Sequence, residues 1–326
     1  MKLGIIGTGW IVKDFLPGLV KMDGLEIVSI MGSPTGYEKA EALSKEYGIP
    51  YAAHDLEELC GTGIDTVYVA VPNNLHFTYC YKALEKGMHV IVEKPMTDDA
   101  GEAERLAEIA REKKLFLFEA ITTVYMTGYR KIKDWLPLLG EIKLVQSRFC
   151  QYSSRYDNFK KGIIAPAFDP EKSGGALMDL NLYNIHYVMG IFGKPESISY
   201  FPNIERDVDT SGVLMMLYPD FTAVCTAAKD CDGDNGGIIQ GTKGCIISES
   251  KPNVVGRVTL QLRDGRTEVC EEPYADSRMI PEFTQFIRAI REKDYDFCYD
   301  QLQESLEVNE VLNRSRIQAG LKGHRI

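Results

Sequence analysis

Leu3-Gly4-Ile5-Ile6-Gly7-Thr8-Gly9-Trp10-Ile11-Val12 is a short apolar run, a glycine turn and the entry to a helical pattern carried by Phe15, Leu16, Leu19 and Val20. Strand, glycine turn and helix in that order is the setting a dinucleotide-binding turn requires. Gly7 permits the tight turn and Gly9 the close approach of a pyrophosphate, whose charge the free N–H groups of the helix N-terminus favour. Gly7, Thr8, Gly9, Trp10 and Ile11 are therefore candidate cofactor contacts. Val12 departs from the pattern, standing where Gly or Ala usually lets helix and strand close up.

The alternation continues outward from this turn. Leu25 to Ile30 reads as a second strand, Tyr37 to Tyr47 as a helix, and Thr66 to Val71 as a third strand ending in Pro72-Asn73-Asn74-Leu75-His76. Phe77 to Lys86 is helical and closes on Gly87. His89-Val90-Ile91-Val92-Glu93-Lys94-Pro95-Met96 is then a buried strand that leaves through a Glu-Lys pair and stops at proline. Ligands of open α/β sheets sit beyond the carboxyl ends of the strands, so Lys94 projects toward whatever this half binds. A capping box, Asp99 with Glu102, starts a further helix to about Lys114, and Leu115 to Glu119 is the last strand. Strands alternating with helices at this spacing predict a parallel, doubly wound α/β sheet over residues 1–120.

After the second strand the chain reads Met31-Gly32-Ser33-Pro34-Thr35-Gly36-Tyr37, without the acid that usually bonds the ribose 2′-hydroxyl of NAD. Small hydroxyl side chains leave room for a 2′-phosphate at Ser33. NADP is the expected cofactor, with NAD the alternative, since no arginine stands there.

Residues 121–326 form the expected second domain, α/β with an open, mainly antiparallel sheet. Ile142 to Gln151, Ser197 to Pro202, Val213 to Tyr218, Thr222 to Ala227, Gly237 to Gln240, Cys245 to Glu249, Arg257 to Leu262 and Thr267 to Glu271 read as strands. Helices are expected at 281–292 and 301–318, the last a candidate to pack back on the first domain. With helices on one face, the other face needs cover, which a second copy of the chain supplies in a homodimer or higher homo-oligomer. Within Gly174-Gly175-Ala176-Leu177-Met178-Asp179-Leu180-Asn181-Leu182-Tyr183-Asn184-Ile185-His186, a helix places Asp179, Tyr183 and His186 along one stripe beside an apolar one. The stripe is either a site or a satisfied polar edge, with Asp179 bonded to nearby backbone and His186 packed in the core.

The totals exclude much. Lys and Arg number 37 against 47 Asp and Glu, a net charge of −10, which suits no nucleic acid. Eight dispersed cysteines without Cys-x-x-Cys spacing, a strand starting at once after Met1, and no long apolar run point to a cytoplasmic chain with no membrane partner. His54, His89 and His324 have no His, Cys or carboxylate at ligand spacing, so no metal is expected.

Together Gly7-x-Gly9, Pro72-Asn73-x-x-His76, Glu93-Lys94-Pro95 and Gly174-Gly175-x-x-x-Asp179-x-x-x-Tyr183 resemble the Gfo/Idh/MocA oxidoreductase family. The resemblance implies a Rossmann domain, NAD(P), and reversible hydride transfer on a secondary carbinol of a sugar, polyol or cyclic diol. By it, Pro72, Asn73, His76, Glu93 and Lys94 join the cofactor contacts. Lys94 matches the lysine near the nicotinamide and the reacting hydroxyl, with Asp179 beside it, and Tyr183 marks the tyrosine branch, similar to dihydrodiol dehydrogenase, glucose-fructose oxidoreductase and NADP-dependent xylose dehydrogenase. Lys94, Tyr183 and Asp179 are thus the candidate catalytic set, and His186, Asn181 and Glu119 the candidate substrate contacts. A glycosidase using bound NAD for transient oxidation and an idle cofactor-binding scaffold or sensor are the competing functions.

Overall fold

The computed structural model describes residues 1–271 and 277–321; residues 272–276 and 322–326 lie outside the described residues. No helix among the described residues is long and apolar enough to cross a membrane. The chain divides into two compact units, Met1–Ala120 with the described part of Ala275–Leu306, and the described part of Ile121–Tyr274 with Glu307–Ile326.

The first unit runs β1 (Lys2–Ile6), α1 (Trp10–Leu19), β2 (Glu26–Met31), α2 (Tyr37–Tyr47), β3 (Tyr51–Ala53), α3 (Leu56–Gly61), β4 (Thr66–Val69), α4 (His76–Glu85), β5 (His89–Glu93), α5 (Ala100–Glu112) and β6 (Leu117–Ala120). Among the described residues its six strands are ordered β3-β2-β1-β4-β5-β6, every neighbouring pair parallel. Strand order reverses between β1 and β4, which opens the ligand crevice at their carboxyl ends. The central strands are apolar without alternation because helices cover both faces; Val67, Val69, Val90 and Val92 share one core with Leu106 and Leu117. Asp99 caps α5 by accepting the Glu102 N–H at 3.0 Å, as the capping signal predicts. Sequence reading passes over β3 and α3, because three residues carry no period and a six-residue helix barely one turn and a half.

The second unit contains α6 (Thr127–Trp135), β7 (Ile142–Cys150), α7 (Tyr156–Lys160), a π-helical turn over Leu177–Asn181, α8 (Leu182–Phe192), β8 (Ser197–Glu205), β9 (Val208–Leu217), β10 (Thr222–Ala228), β11 (Gly236–Gly241), β12 (Gly244–Ser248), β13 (Arg257–Leu262) and β14 (Thr267–Glu271). Among the described residues these eight strands follow the order β14-β13-β12-β11-β7-β10-β9-β8. Only β7 and β10 pair in parallel; the other neighbours are antiparallel. α8 lies on β7 and β10, over the side chains of Val145, Phe149, Ala223 and Cys225. Leu217, Met215 and Phe201, of opposite parity, stay exposed.

Two helices close the described chain, α9 (Ile280–Glu292) and α10 (Tyr295–Gln318). Sequence alone assigns everything after residue 120 to the second domain and lets only the last helix return. The structure returns α9 as well. Phe283 of α9 meets Tyr68 of β4 edge-on at 5.5 Å, both fully buried, and Phe286 stacks on Phe118 of β6 at 4.6 Å. Burial of two aromatic rings outweighs chain order in deciding which unit the helix joins.

Candidate active site

In the first unit every expected cofactor residue lies at or just beyond the carboxyl end of a strand. Gly7 has φ +131° and donates its N–H to Met31 O at 2.8 Å, so the β1 exit is tied to the end of β2. A Cβ on Gly7 would sit 2.1 Å from Ala70 O, whereas one on Gly9 would meet nothing within 4 Å. That open space faces the start of α1, where Gly9 is the N-cap, no side chain caps the helix and no acid occupies the first turn. α3 and α5 are capped by Asp55 and Asp99, whereas α2 and α4, like α1, have no side-chain cap. An uncapped positive helix end behind a glycine with room in front of it fits a pyrophosphate. Val12 is buried all the same, and Trp10, the first residue of α1, is exposed beside Thr8 and Ile11.

Ser33 is exposed in a turn closed by Gly36 N–H to Ser33 O at 2.8 Å. A cavity of about 560 Å³ opens beside Gly32 and Pro34. Its charges are mixed, Lys82 and Lys86 against Asp55, Glu57 and Glu85, so cofactor choice rests on the loop rather than on the cavity.

Beyond β4 and β5 the chain is pinned from beneath. His76 is fully buried, one ring nitrogen 2.7 Å from Pro95 O and the other 3.0 Å from Val71 O. Burial pushes its pKa down, against the two carbonyls that favour the cation. His76 thereby clamps the Lys94-Pro95 turn to the end of β4; the Lys94–Pro95 bond is cis. Glu93 accepts the Tyr68 hydroxyl at 2.5 Å, and burial raises its pKa while Tyr68, Lys94 and Arg278 oppose the rise. Glu119, expected among substrate contacts, is buried in β6 and accepts the Met96 N–H at 2.8 Å. That bond makes it a brace for the strand exit. Lys94 is half-buried above these groups at the end of β5. A third acid, Glu282 of α9, has no hydrogen-bond partner among the described residues. Burial, reinforced by Glu93 and Glu119, pushes it well above the carboxylate range. Its place in an amphipathic helix gave no sign of that.

In the second unit Asp179, Asn181, Tyr183 and His186 share one helical run, with Asp179 inside the π-helical turn. A π turn widens the helix locally and is often found at functional sites. Gly175, with φ +123°, precedes it; a Cβ there would lie 2.0 Å from Asp209 Oδ1. Asp209 needs that approach because its Oδ2 accepts the Leu177 N–H at 2.6 Å and the Tyr200 hydroxyl at 2.7 Å. Burial lifts its pKa to about 6, although both bonds and the nearby Lys229 pull the other way. Asp179 Oδ2 pairs with Lys229 Nζ at 2.9 Å, an ion pair no motif announced. Tyr183 is nearly buried, its ring 5.8 Å from that of Phe149.

The remaining two expected substrate contacts take interior positions. His186, on α8 itself, is 0 % exposed and packed in the core. Asn181 donates to Cys225 O at 3.4 Å and accepts from Asn184 Nδ2 at 2.8 Å. Asn184 in turn donates to Thr226 O and accepts the Ser147 hydroxyl. Buried polar groups satisfied this way hold α8 on the sheet.

A parallel sheet in Rossmann order with a glycine turn at its first helix has the layout of the NAD(P)-dependent oxidoreductases. Two family models match in tandem: the oxidoreductase family with NAD-binding Rossmann fold over residues 1–120, and the Gfo/Idh/MocA C-terminal domain over 116–247. The chain belongs to the Gfo/Idh/MocA family. It is 29 % identical over 325 residues, 98 % of each chain, to the scyllo-inositol 2-dehydrogenase (NADP⁺) IolU of Bacillus subtilis. It is 25 % identical over 324 residues to trans-1,2-dihydrobenzene-1,2-diol dehydrogenase of Mus musculus, covering 96 % of this chain and 89 % of that one. The fold also matches KijD10, a 3-ketoreductase from Actinomadura kijaniata solved with NADP, with TM-score 0.81 at 22 % identity over 98 % and 97 % of the two chains.

Proposed function

We propose that the protein is an NADP-preferring dehydrogenase or reductase that moves a hydride between the nicotinamide and a secondary carbinol of a sugar, polyol or cyclic diol. The observation that carries this is the open, uncapped start of α1 at Gly9 in a unit that also holds Lys94 at the end of β5. The scyllo-inositol and dihydrodiol dehydrogenases it resembles support the substrate class. Gly7, Thr8, Gly9, Trp10 and Ile11 would hold the pyrophosphate, Ser33 the 2′-phosphate, and Pro72 and Asn73 the nicotinamide half. The bound cofactor supplies the hydride acceptor or donor. Oxidation of the carbinol also releases the hydroxyl proton, which Tyr183 takes as base, with Lys94 polarising the oxygen and Asp179 orienting the site. Screening scyllo-inositol, hexoses, pentoses and a cyclic diol with NADP⁺ and NAD⁺ by absorbance of the reduced nicotinamide tests this. Net reduction of free cofactor with no glycoside cleaved is the expected result; glycoside cleavage without it would move the protein to the transient-oxidation glycosidases.

Cofactor choice follows from the missing acid in Met31–Tyr37. NADPH is expected to bind more tightly than NADH, and Ser33→Asp to weaken NADPH by about tenfold or more, reversing the order. Titration by quenching of intrinsic fluorescence reads both, and tighter NADH binding by the unaltered protein would end the NADP assignment.

The sheet face bearing Phe201, Met215 and Leu217, of which Phe201 is 60 % exposed, supports self-association. Light scattering is expected to give about twice 36.6 kDa. Phe201→Glu with Met215→Lys should shift it to the monomer, and a wild-type monomer at micromolar concentration would count against the interface.

A further inference from the structure

Lys229 is a buried cation with no part in the family motifs of the sequence. It follows β10 directly, and Ala223, Cys225 and Ala227 set the parity of that strand's buried face. Residue 229 continues it, so the side chain enters the interior and is 2 % exposed. Three things meet the ammonium there. It donates to Ala167 O, it pairs with Asp179 Oδ2 at 2.9 Å, and it stands 4.5 Å from the centre of the buried Phe168 ring. Its backbone is tied on both sides, Lys229 N–H to Thr210 O at 2.8 Å and Ser153 N–H to Lys229 O at 2.9 Å. Ala167 O also accepts the Gly175 N–H at 3.2 Å, and Gly175 O accepts the Asp179 N–H at 3.2 Å. One ammonium thus joins the turn at Pro166–Phe168, the Gly174-Gly175 bend and the π turn that carries Asp179.

We propose that Lys229 is a positioning residue: its ammonium, fixed by Ala167 and Phe168, holds Asp179 Oδ2 and so sets the carboxylate's direction and charge for the carbinol chemistry. This rests on the oxidoreductase reading given above. Desolvating a lysine is costly unless a partner and hydrogen bonds repay it. The arrangement places a carboxylate, one-third exposed at its side chain, on a fully enclosed cation, so one end of the pair faces outward and the other is immobile. A misdirected Asp179 harms turnover more than binding, since small displacements of groups at a reacting centre are amplified in rate.

The test uses the full chain as Lys229→Met, Lys229→Arg, Asp179→Asn and the Asp179→Asn/Lys229→Met double variant. With scyllo-inositol and NADP⁺, or whichever compound of the screen the wild type turns over, Lys229→Met is expected to lower kcat by about tenfold to 100-fold. The Kd for NADPH should stay within about twofold, Lys229→Arg should recover part of kcat, and the double variant should be no slower than Asp179→Asn alone. Lys229→Met at wild-type kcat, or a double variant showing the product of the two single losses, overturns the proposal. Urea midpoints of the same four proteins need no substrate. Non-additive midpoints support the coupled pair; additive ones overturn it, even if no compound in the screen is turned over and the oxidoreductase reading fails on its own.

Discussion

Lys94→Ala and Tyr183→Phe are each expected to lower kcat by roughly 10²-fold or more, the scale of losing a general acid/base, while NADPH affinity stays near normal. A free phenol, with pKa about 10, is a poor base near neutrality, and a cation at the reacting oxygen is what brings it into range. Lys94 is suited to that duty because the strand exit that carries it is held from several sides. Glu93 is occupied by Tyr68, Glu119 by the Met96 amide, and His76 by the carbonyls of Pro95 and Val71. Each is a brace on the strand exit and so fixes where the lysine leaves the sheet. Steady-state rates from pH 6 to 9 check the assignment. A Tyr183→Phe enzyme at close to wild-type rate would pass the proton role to Lys94, and an active Lys94→Ala enzyme would remove the mechanism altogether.

Gly7→Ala and Gly9→Ala are expected to fail in different ways, although both residues belong to one turn. At Gly7 the backbone has φ +131° and a Cβ would lie 2.1 Å from Ala70 O. Strain at such a φ costs on the order of 1–3 kcal/mol, and forcing backbone apart costs a similar amount again, so Gly7→Ala should lose about 3 kcal/mol or more of stability. At Gly9 the added methyl meets nothing within 4 Å of protein. Gly9→Ala should therefore unfold at the wild-type midpoint and bind NADPH at least about tenfold more weakly, since the methyl occupies the approach of the pyrophosphate. Denaturation with and without NADPH separates the two. Wild-type affinity in Gly9→Ala would show that the pyrophosphate does not come to this turn.

Period and punctuation made most elements legible from sequence alone. The continuous apolar runs of β1, β4 and β5, the Asp99 cap of α5, and the period-two strands from β7 to β14 each carry their signal within a few neighbouring residues, and the structure places them within a few residues of those bounds, except that β9 begins at Val208 and not at Val213. The first glycine turn and the Glu93-Lys94-Pro95 exit are local in the same sense, because a turn's φ and a strand's end are decided by adjacent residues. Side-chain partners are not local. Lys229 and Asp179 are 50 residues apart in the chain, and Asp209 reaches Leu177 across 32. The parity of β10 did point Lys229 inward, which was a usable sign of a buried cation, but nothing in the sequence said which acid it would meet. His186 shows the converse: helical spacing put it on a polar stripe with Asp179 and Tyr183, while the packing of α8 on β7 and β10 buries it in the core, as it does Asn181. α9 joined the first unit because Phe283 and Phe286 found Tyr68 and Phe118 there. Sequence by itself determined the strands, turns and helix caps, which depend on neighbours in the chain. Only the tertiary structure decided which buried charges are paired and which polar groups face inward, because desolvation is set by what packs around a group and not by what precedes it.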